Sequence, residues 1–462
     1  MLIDSHVHLN MPQFAGEVDE VIARAGEAGV GEMLNIGYDA ASIGETIALT
    51  EEYGSVYASI GLHPHEAKSW SDELEKELKK QILRRKILAV GEIGLDYYRD
   101  LSPRDVQQDV FRRQIGLALY FDKPIVVHSR EAFGDVVRIL EEEGATEVGG
   151  IFHAFPGGVE EARRVMELGF LIGVGGPVTY KKSKLPEVVS RLPSSAFVLE
   201  TDCPYLPPQP YRGKRNEPAY VRLVAEKVAG VLGVAVEDIE RATEVNYRYL
   251  LHGERDFPPQ IAYELKGNIY VNVTGSCTNN CLFCGRRREN NFLYGYNLNL
   301  VTDPAEDEMI SAARALAGKG GHGAIVFCGY GEPTCRLPEI LTVARELAGL
   351  GLPFRLNTNG QGNLINKRNI VPELEGVIDK VSVSLNAPDA DTYLRLCRPD
   401  AGARAFDSMI DFIRKAASSR IECEVTALDC PEIDLDACGN LVEGIEGAHF
   451  RARTYHFSTC DI

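Results

Sequence analysis

Short apolar runs alternate with longer amphipathic stretches through the first half of the chain. The apolar runs lie at residues 2–9, 32–38, 56–62, 87–93, 124–128, 150–155, 170–175 and 197–200. Stretches with helical spacing separate many of them, as at 18–28, 72–83, 103–120 and 132–142. Because strands that alternate with helices pair in parallel, and eight such units close on themselves, the pattern predicts a TIM-like (β/α)8 barrel.

The same alternation restarts in the second half. Apolar runs lie at residues 268–274, 324–328, 353–357, 380–386, 422–428 and 449–457, with helical patterns at 303–316, 338–350 and 406–417. Six units predict a second α/β domain, a partial (β/α)6 barrel. Residues 256–264 contain the paired prolines Pro258 and Pro259, which are typical of a stiff linker. The predicted domains are therefore 1–255 and 265–462, joined by a linker at 256–264.

The composition limits which partners, which cellular location and which roles of the cysteines are expected. The formal net charge of −18 argues against a generic duplex-binding face, so any contact with DNA should be local. Neither a basic leader nor an apolar run of membrane-spanning length is visible, so we expect a cytoplasmic protein without membrane contact. Of the eleven cysteines only Cys203 precedes Cys277. In a reducing compartment this distribution favours ligation or burial in the second domain over disulfides.

Polar residues follow the predicted strands of the first domain. His6 and His8 share one face of the first strand, because side chains alternate with period two, and both can reach one metal ion. Alone, the pair is equally compatible with a solvated edge. Further acids and imidazoles lie in or just after five other strands, at His63, His65, Glu92, His128, His153 and Asp202.

Each of these residues has a structural alternative when it is taken alone. Glu92 could be a salt-bridge partner, and His128 or His153 a hydrogen-bonded core histidine. Together, however, imidazoles and carboxylates at one end of a barrel favour a centre of borderline to hard divalent ions, which Glu92 could bridge. Two such ions can activate water and clamp a phosphodiester, so the set indicates hydrolysis.

The motifs resemble those of the TatD family of metal-dependent deoxyribonucleases. The matching stretches are DSHVH (4–8), GLHP (61–64), GEIGLDY (91–97), KPIVVHSR (123–130), HAF (153–155), LETDCPYL (199–206), YRGKRNEP (211–218) and ATEVN (242–246). The resemblance covers nearly all of residues 1–250. It implies cleavage of DNA, often as an exonuclease, with Mg, Mn or Zn as the two divalent ions. One departure is Ala154, where members often carry cysteine, and it puts a substrate contact at that position in doubt.

The resemblance also implies roles. His6, His8, Glu92 and Asp202 would hold one ion, and Glu92, His128 and His153 the second; Glu92 and Asp202 would be catalytic, with Asp202 the base for the attacking water. Substrate phosphate would meet His63, His65, Arg130, Arg212 and Arg215, although the loop at 212–215 could also be a solvated turn. Two alternatives stay open: an amidohydrolase or deacylase acting on a small molecule or aminoacyl ester, and a binding module without turnover.

Three cysteines follow the first strand of the second domain. Cys277, Cys281 and Cys284 have the spacing C-x3-C-x2-C in a loop flanked by glycines. Structural zinc closes its shell with four ligands, and no fourth is adjacent here. A cubane iron–sulfur cluster held by three thiolates keeps one iron open to a non-protein ligand. The trio therefore favours a [4Fe-4S] cluster, with structural zinc as the alternative.

This spacing resembles the radical S-adenosylmethionine (SAM) superfamily, and the two halves together are similar to radical SAM proteins associated with TatD nucleases. The resemblance implies that S-adenosylmethionine binds the open iron and that flavodoxin or ferredoxin supplies an electron. Gly329, Gly331 and Glu332 would contact its amino group, and Asn357 and Ser384 its ribose and carboxylate. Alone, the glycine run is also compatible with an ordinary strand-to-helix turn.

The remaining residues of interest carry weaker signals. Cys423, Cys430, Cys438 and Cys460 could hold an auxiliary cluster, but their irregular spacing favours burial, as it does for Cys328, Cys335 and Cys397. Three arginines at 286–288 could meet an anionic substrate or form a solvated turn.

Overall fold

The computed structural model describes residues 1–285 and 292–454, which form two compact units, Met1–Asp256 and Phe257–Ile462. We call them the N-terminal and C-terminal units. The arginines at 286–288, Cys460 and the end of the last predicted strand, 455–457, lie outside the described residues. The division follows Asp256, inside the stretch predicted as a linker, and the domain limits themselves stay a prediction.

The N-terminal unit contains eight parallel strands whose spatial order is their order in the chain. They are β1 Leu2–Val7, β2 Val30–Gly37, β3 Val56–Ile60, β4 Ile87–Asp96, β5 Ile125–Arg130, β6 Gly150–Phe152, β7 Phe170–Val174 and β8 Phe197–Leu199. Closure comes just beyond β8, where Val7 forms a parallel bridge with Cys203 and the Asp202 amide donates to the His6 carbonyl at 2.9 Å. The predicted TIM-like barrel is confirmed.

Helices surround this sheet. They are α1 Val18–Glu27, α2 Ala40–Glu52, α3 Asp72–Gln81, α4 Arg104–Tyr120, α5 Phe133–Glu142, α6 Val159–Glu167, α7 Leu185–Arg191, α8 Val221–Leu232 and α9 Val236–Tyr247. Local sequence sets their ends: the Asp39 side chain accepts from the Ser42 amide at the start of α2, and Ser71 caps α3 in the same way. The strands are almost wholly buried between the helices and the barrel interior, as expected for parallel sheets.

The C-terminal unit has a seven-stranded sheet. In spatial order its strands are β9 Ala262–Leu265, β10 Asn268–Asn272, β11 Ile325–Cys328, β12 Phe354–Thr358, β13 Lys380–Ser384, β14 Glu422–Asp429 and β15 Ala448–Thr454. The strands β10 to β15 pair in parallel and correspond to the six predicted units. The partial barrel is therefore confirmed, with one strand added at its edge.

The added strand, β9, is antiparallel to β10 and occupies part of the stretch predicted as a linker. Lys266 and Gly267 join the two strands, both with positive φ (49° and 70°). Two residues with positive φ form the hairpin turn that matches strand twist. Because β9 is only four residues long and follows two prolines, its alternation of half-exposed and buried residues was too short to predict it.

Helices cover one face of this sheet. They are α10 Glu306–Ala317, α11 Leu337–Leu347, α12 Gly362–Ile365, α13 Val371–Leu374, α14 Ala390–Cys397, α15 Arg404–Ala417 and α16 Leu435–Glu443. Alternate strand residues such as Val381, Val383 and Val425 join helix residues such as Met409 and Phe412 in the core. The intervening strand residues, many of them polar, therefore point into the barrel interior. Within the described parts of both units, no helix has the length and apolarity needed to cross a bilayer.

Candidate functional site

The mouth of the N-terminal barrel gathers six predicted metal ligands from five strands and their following loops. His6 lies in β1 and His8 just after it, Glu92 in β4, His128 in β5, His153 after β6, and Asp202 after β8. All except the half-buried His128 are buried. Far-apart stretches of sequence therefore meet at the carboxyl ends of the strands, where barrel enzymes place their chemistry.

The ligand atoms lie at coordination-like spacings. The Nε2 atoms of His6 and His8 are 3.2 Å apart, His6 Nε2 lies 3.5 Å from Glu92 Oε2, and His8 Nε2 lies 3.4 Å from Asp202 Oδ1. Ligand atoms about 2.1 Å from one divalent ion are separated by about 3.0–3.4 Å in octahedral or tetrahedral shells. The donor set therefore fits a divalent ion.

Three overlapping groups of ligand atoms emerge: His6–His8–Glu92, His6–His153–Asp202 and His63–Glu92–His128. Glu92 belongs to two of these groups and His6 to two. His63, predicted to bind substrate, is placed with Glu92 and His128, its Nε2 lying 3.7 Å from Glu92 Oε1. His153 Nε2 lies 3.8 Å from the same Glu92 oxygen and 3.9 Å from Asp202 Oδ1. Glu92, a predicted partner of His153, is therefore within reach of it. The compact group that contains His153, however, is His6–His153–Asp202.

The protonation pattern favours cations at this mouth. Burial would raise the pKa of the Glu92 carboxyl, but the His63 and His153 imidazoles outweigh it and hold that pKa well below its usual value. The same balance, with His153 the largest lowering influence, depresses the pKa of Asp202. Burial would lower the pKa of His153, yet Glu200, Asp202 and Glu92 together raise it to about 10. A divalent ion would replace that proton on binding.

Asp96 connects two of the histidines at this mouth. Its Oδ2 atom lies 2.8 Å from His65 Nε2 and 3.1 Å from His128 Nε2, while His128 Nδ1 lies 2.7 Å from Glu92 Oε1. Burial would raise the pKa of Asp96, but hydrogen bonds from His128, the Arg99 amide and His65 lower it. Asp96 thus fixes the orientation of His128, a role that carboxylates commonly have behind metal-binding histidines.

Two further buried acids support the site. Glu200 Oε1 lies 3.3 Å from His153 Nδ1 and accepts from the Ala154 amide at 2.7 Å. Asp4 accepts from the Thr201 hydroxyl at 2.6 Å and the Thr201 amide at 2.9 Å, which ties β1 to the segment that carries Asp202. Asp4, Asp96 and Glu200 lie inside the matching motifs, but only their burial beside the histidines distinguishes them from surface acids.

The arginines predicted to grip substrate differ in their surroundings. Arg130 lies over the Tyr98 ring at 4.0 Å and Arg212 over the Tyr180 ring at 4.6 Å. Neither has an acidic partner within the part of the chain that the structure describes. Arg215 instead donates to the Gln13 carbonyl at 2.6 Å and pairs with Glu17 at 2.8 Å. Arg130 and Arg212 are therefore the more available pair for phosphate.

The C-terminal unit holds a cavity of about 900 Å³ inside its sheet. All eight residues predicted for the cluster and its cofactor line it: Cys277, Cys281, Cys284, Gly329, Gly331, Glu332, Asn357 and Ser384. A cavity of this size matches those that enclose cofactors and small ligands. Three thiols that line one cavity together with glycine backbone and polar side chains fit a cluster with a bound small molecule.

The cysteine loop is fixed by its neighbours. The Leu282 amide donates to the Leu396 carbonyl at 2.9 Å, and the Asn279 side chain donates to the Tyr393 hydroxyl at 2.9 Å, so the loop is pinned to α14. On its other side, the Gly331 amide donates to the Thr274 carbonyl at 3.0 Å. The glycine turn after β11 and the cysteine loop therefore form one packed unit.

The Glu332 side chain holds the glycine turn against its neighbours. Its Oε1 atom accepts from the hydroxyls of Thr334 and Thr358 at 2.6 and 2.7 Å, and Oε2 accepts from the Asn359 amide at 2.6 Å. Burial is the main cause that raises the pKa of this carboxyl. These contacts use both oxygens, so Glu332 positions the ends of β11 and β12, and its predicted cofactor contact stays a prediction.

A fourth sulfur lies beside the trio. Cys397, at the end of α14, is buried and lines the same cavity. A hydrogen bond with Cys281, together with burial, raises the pKa of the Cys397 thiol well above its usual value. Burial is observed as predicted for Cys397, Cys328, Cys423, Cys430 and Cys438, whereas Cys335 is half-buried. The proximity of Cys397 to Cys281 comes from the fold, since 115 residues separate them.

Comparison with known proteins assigns both units. Residues 3–252, more than half of the chain, match the family model of TatD-related DNases. The chain belongs to the TatD-related DNase family. Residues 271–430 match the model of the radical SAM superfamily, so a TatD-type barrel and a radical SAM domain are fused in one polypeptide. Both resemblances derived from the motifs are confirmed, and both halves are enzyme domains.

Relatives cover the TatD-type barrel. The uncharacterized metal-dependent hydrolase YabD of Bacillus subtilis is 45% identical over 251 residues, spanning 54% of this chain and 98% of its own length. The 3'-5' ssDNA/RNA exonuclease TatD of Pantoea vagans is 32% identical over 54% of this chain and 98% of its length. The crystal structure of YjjV, a TatD homologue from Escherichia coli, has 33% identity and a TM-score of 0.52 over 54% of this chain and 98% of that chain.

A glycine substitution tests the packing of the radical SAM cavity. A Cβ at Gly331 would collide with the carbonyl oxygens of Thr274 and Ser276, immediately before Cys277. Gly331→Ala should therefore displace the cysteine loop and weaken S-adenosylmethionine binding about tenfold or more, measured by equilibrium dialysis. Gly349→Ala is the matched control, because no atom lies within 4 Å of its added Cβ. Unchanged affinity for S-adenosylmethionine in Gly331→Ala would show that the glycine turn does not contribute to cofactor binding.

Proposed function

We propose that the TatD-type barrel hydrolyses phosphodiester bonds of DNA, as an exonuclease, with two divalent ions. The observation that carries this proposal is the position of Glu92, whose two carboxylate oxygens face different histidine groups. Oε2 lies 3.5 Å from His6 Nε2, and Oε1 lies 2.7 Å from His128 Nδ1. A carboxylate shared in this way is the arrangement expected of a bridging ligand.

The proposed ligand sets are those that the motifs imply, and the compact groups of ligand atoms support them except for His153, which groups with His6 and Asp202. His6, His8, Glu92 and Asp202 would hold one ion, and Glu92, His128 and His153 the second, with His63 close enough to the second group to complete it. When bound, Mg, Mn or Zn ions activate water and neutralise charge on a phosphodiester. The chain itself contributes the ionised carboxylates of Glu92 and Asp202, because their depressed pKa values keep both charged.

Asp202 is our candidate for the base that receives a proton from the attacking water. Its amide donates to the His6 carbonyl, which fixes the residue, and its Oδ1 atom lies 3.4 Å from His8 Nε2 and 3.9 Å from His153 Nε2. An ionised carboxylate so placed can accept a proton from water. Arg130 and Arg212 would then orient phosphate, because a guanidinium matches it bidentately.

The DNA contact should be short and local, since the chain carries a net charge of −18. The Pantoea vagans relative is a 3'-5' ssDNA/RNA exonuclease, which supports a single-stranded nucleic-acid substrate for this barrel. The acidic surface favours an end-processing activity that touches a few nucleotides over one that tracks along a duplex.

An end-labelled substrate tests this proposal. The full chain should shorten single-stranded DNA stepwise from one end in the presence of Mg or Mn, lose at least about 100-fold of that rate in EDTA, and recover it on re-addition of the ion. A panel of carboxylic esters, amides and aminoacyl esters assayed in parallel should give no comparable turnover. Metal-dependent turnover on the panel without release of nucleotides would contradict the proposal and assign the barrel to amidohydrolase or deacylase chemistry.

For the radical SAM domain we propose a [4Fe-4S] cluster on Cys277, Cys281 and Cys284. S-adenosylmethionine would bind its open iron, with Gly329, Gly331, Glu332, Asn357 and Ser384 around it. When bound, this pair supplies radical chemistry after reduction by a donor such as flavodoxin or ferredoxin. Because such a cluster and ten cysteines after residue 276 require reducing conditions, we place the protein in the cytoplasm.

A further inference from the structure

The inner wall of the radical SAM domain carries several charged side chains. Arg355 on β12, Glu424 on β14, and Arg451 and Arg453 on β15 line the same cavity as the cysteine trio. Alternate residues of these strands pack outward into the core, so the charged residues face the barrel interior. Their partners determine which charges remain available to a ligand.

Glu424 pairs with two cationic side chains, Arg451 and Lys380. Its carboxylate accepts from Arg451 at 2.8 and 3.0 Å, from Lys380 at 3.2 Å and from the Ser382 hydroxyl at 3.1 Å. These contacts, led by Arg451, lower the pKa of Glu424 to about 2 against the effect of burial. Lys380 also pairs with Glu422 at 2.9 Å. Arg451 and Lys380 are therefore engaged within the protein.

Among the residues that the structure describes, two guanidinium groups of the cavity wall have no acidic partner. Arg355 donates Nη2 to the Tyr270 hydroxyl at 3.1 Å, but its buried Nε has no hydrogen-bond partner. Arg453 has neither a hydrogen bond nor an ion pair with any residue in the ranges 1–285 and 292–454. Its guanidinium is reachable from solvent, yet desolvation by the cavity wall, with the like charges of Arg451 and Arg355, lowers its pKa. Both groups lie close enough to Cys328 to influence its thiol.

We propose that Arg355 and Arg453 bind an anionic group, a phosphate or a carboxylate, on the substrate of the radical SAM domain. The buried Arg355 Nε is costly to leave without a partner, and an oxyanion would satisfy it, while the exposed Arg453 offers a second guanidinium on the same cavity wall. In a chain of net charge −18, two arginines that no acid in the described part of the domain compensates make this cavity wall a local reversal of sign. The inference rests on the radical SAM assignment and is independent of what the TatD-type barrel hydrolyses.

Anion titrations test the pair. Inorganic phosphate and succinate are titrated separately, by isothermal calorimetry, into the anaerobically reconstituted full chain saturated with S-adenosylmethionine. One of the two anions should bind, and Arg355→Met and Arg453→Met should each weaken that binding about tenfold or more. Preference for phosphate or for succinate identifies the class of the anionic group. The TatD-type centre is unchanged in every variant, so any phosphate that binds there adds the same heat to the titration of the parent and of each variant.

Three further variants serve as controls for these titrations. Arg345→Met, on the exposed face of α11, removes one positive charge outside the cavity and should bind both anions as the parent does. Arg355→Lys and Arg453→Lys keep the charge without the bidentate fork and should each give an intermediate loss of anion binding. They also cover the case in which the methionine variants fail to fold. Anion binding that is equal in all variants would overturn the proposal. So would a loss of S-adenosylmethionine affinity alone, which would assign the arginines to the cofactor's own carboxylate.

Discussion

Replacing Glu92 with glutamine is expected to lower kcat for DNA hydrolysis by at least about 10³-fold while the barrel stays folded. Glutamine has the same shape but no negative charge. Glu92 is buried, has a pKa held well below its usual value and lies between His6 and His128, so in the proposed centre its charge would attract and bridge the two ions. The amide should leave the imidazoles in place yet bind at most weakly, and metal analysis should show fewer divalent ions per chain.

Glu45→Gln is the matched control for this prediction. Glu45 lies exposed on α2 in the same unit, so its loss removes one negative charge without touching the mouth. This variant should hydrolyse DNA at the parental rate, and both variants should unfold at similar temperatures. If Glu92→Gln retained more than about a tenth of the parental kcat, the mouth of the barrel would not be the hydrolytic centre.

The second large effect is expected at the cysteine loop. Cys281→Ala should remove nearly all cluster iron and the visible absorbance of the anaerobically reconstituted protein, because two remaining thiolates cannot hold a cubane cluster. Binding of S-adenosylmethionine should fall with it. Hydrolysis of DNA should be unchanged, since the TatD-type barrel takes its ligands from other residues.

Cys397→Ala is the informative comparison, because Cys397 is hydrogen-bonded to Cys281 but lies outside the C-x3-C-x2-C loop. A neighbour that only donates to a cluster thiolate tunes the cluster without holding it, so this variant should keep its iron. Loss of iron as complete as in Cys281→Ala would make Cys397 a fourth ligand and close the cluster to S-adenosylmethionine. Four zinc-binding sulfurs with no iron would support the structural zinc alternative.

The strand-end residues of the TatD-type barrel could be predicted because two simple rules place them, the alternation of side chains along a strand and the common mouth of a parallel barrel. Period two puts His6 and His8 on one face, and the parallel barrel brings the carboxyl ends of β1, β4 and β5 to one mouth. The grouping within that mouth could not be predicted. His63 lies nearer to Glu92 and His128 than its predicted substrate role implied, because its position depends on the loop after β3.

Contacts between residues on different secondary-structure elements could not be predicted from the sequence. Glu200 beside His153, Asp96 between His65 and His128, and Cys397 beside Cys281 all depend on packing of separate elements. The hairpin strand β9 escaped prediction for a different reason: four residues are too few to show a reliable alternation.

The most direct test of the central claim, two separate inorganic centres in one chain, is metal analysis of anaerobically reconstituted parent, Glu92→Gln and Cys281→Ala proteins. The parent should contain about four irons per chain with sulfide, together with divalent ions at the barrel mouth. Glu92→Gln should lose only the divalent ions, and Cys281→Ala only the iron. Iron retained in Cys281→Ala, or divalent ions retained in full by Glu92→Gln, would contradict the assignment of that centre.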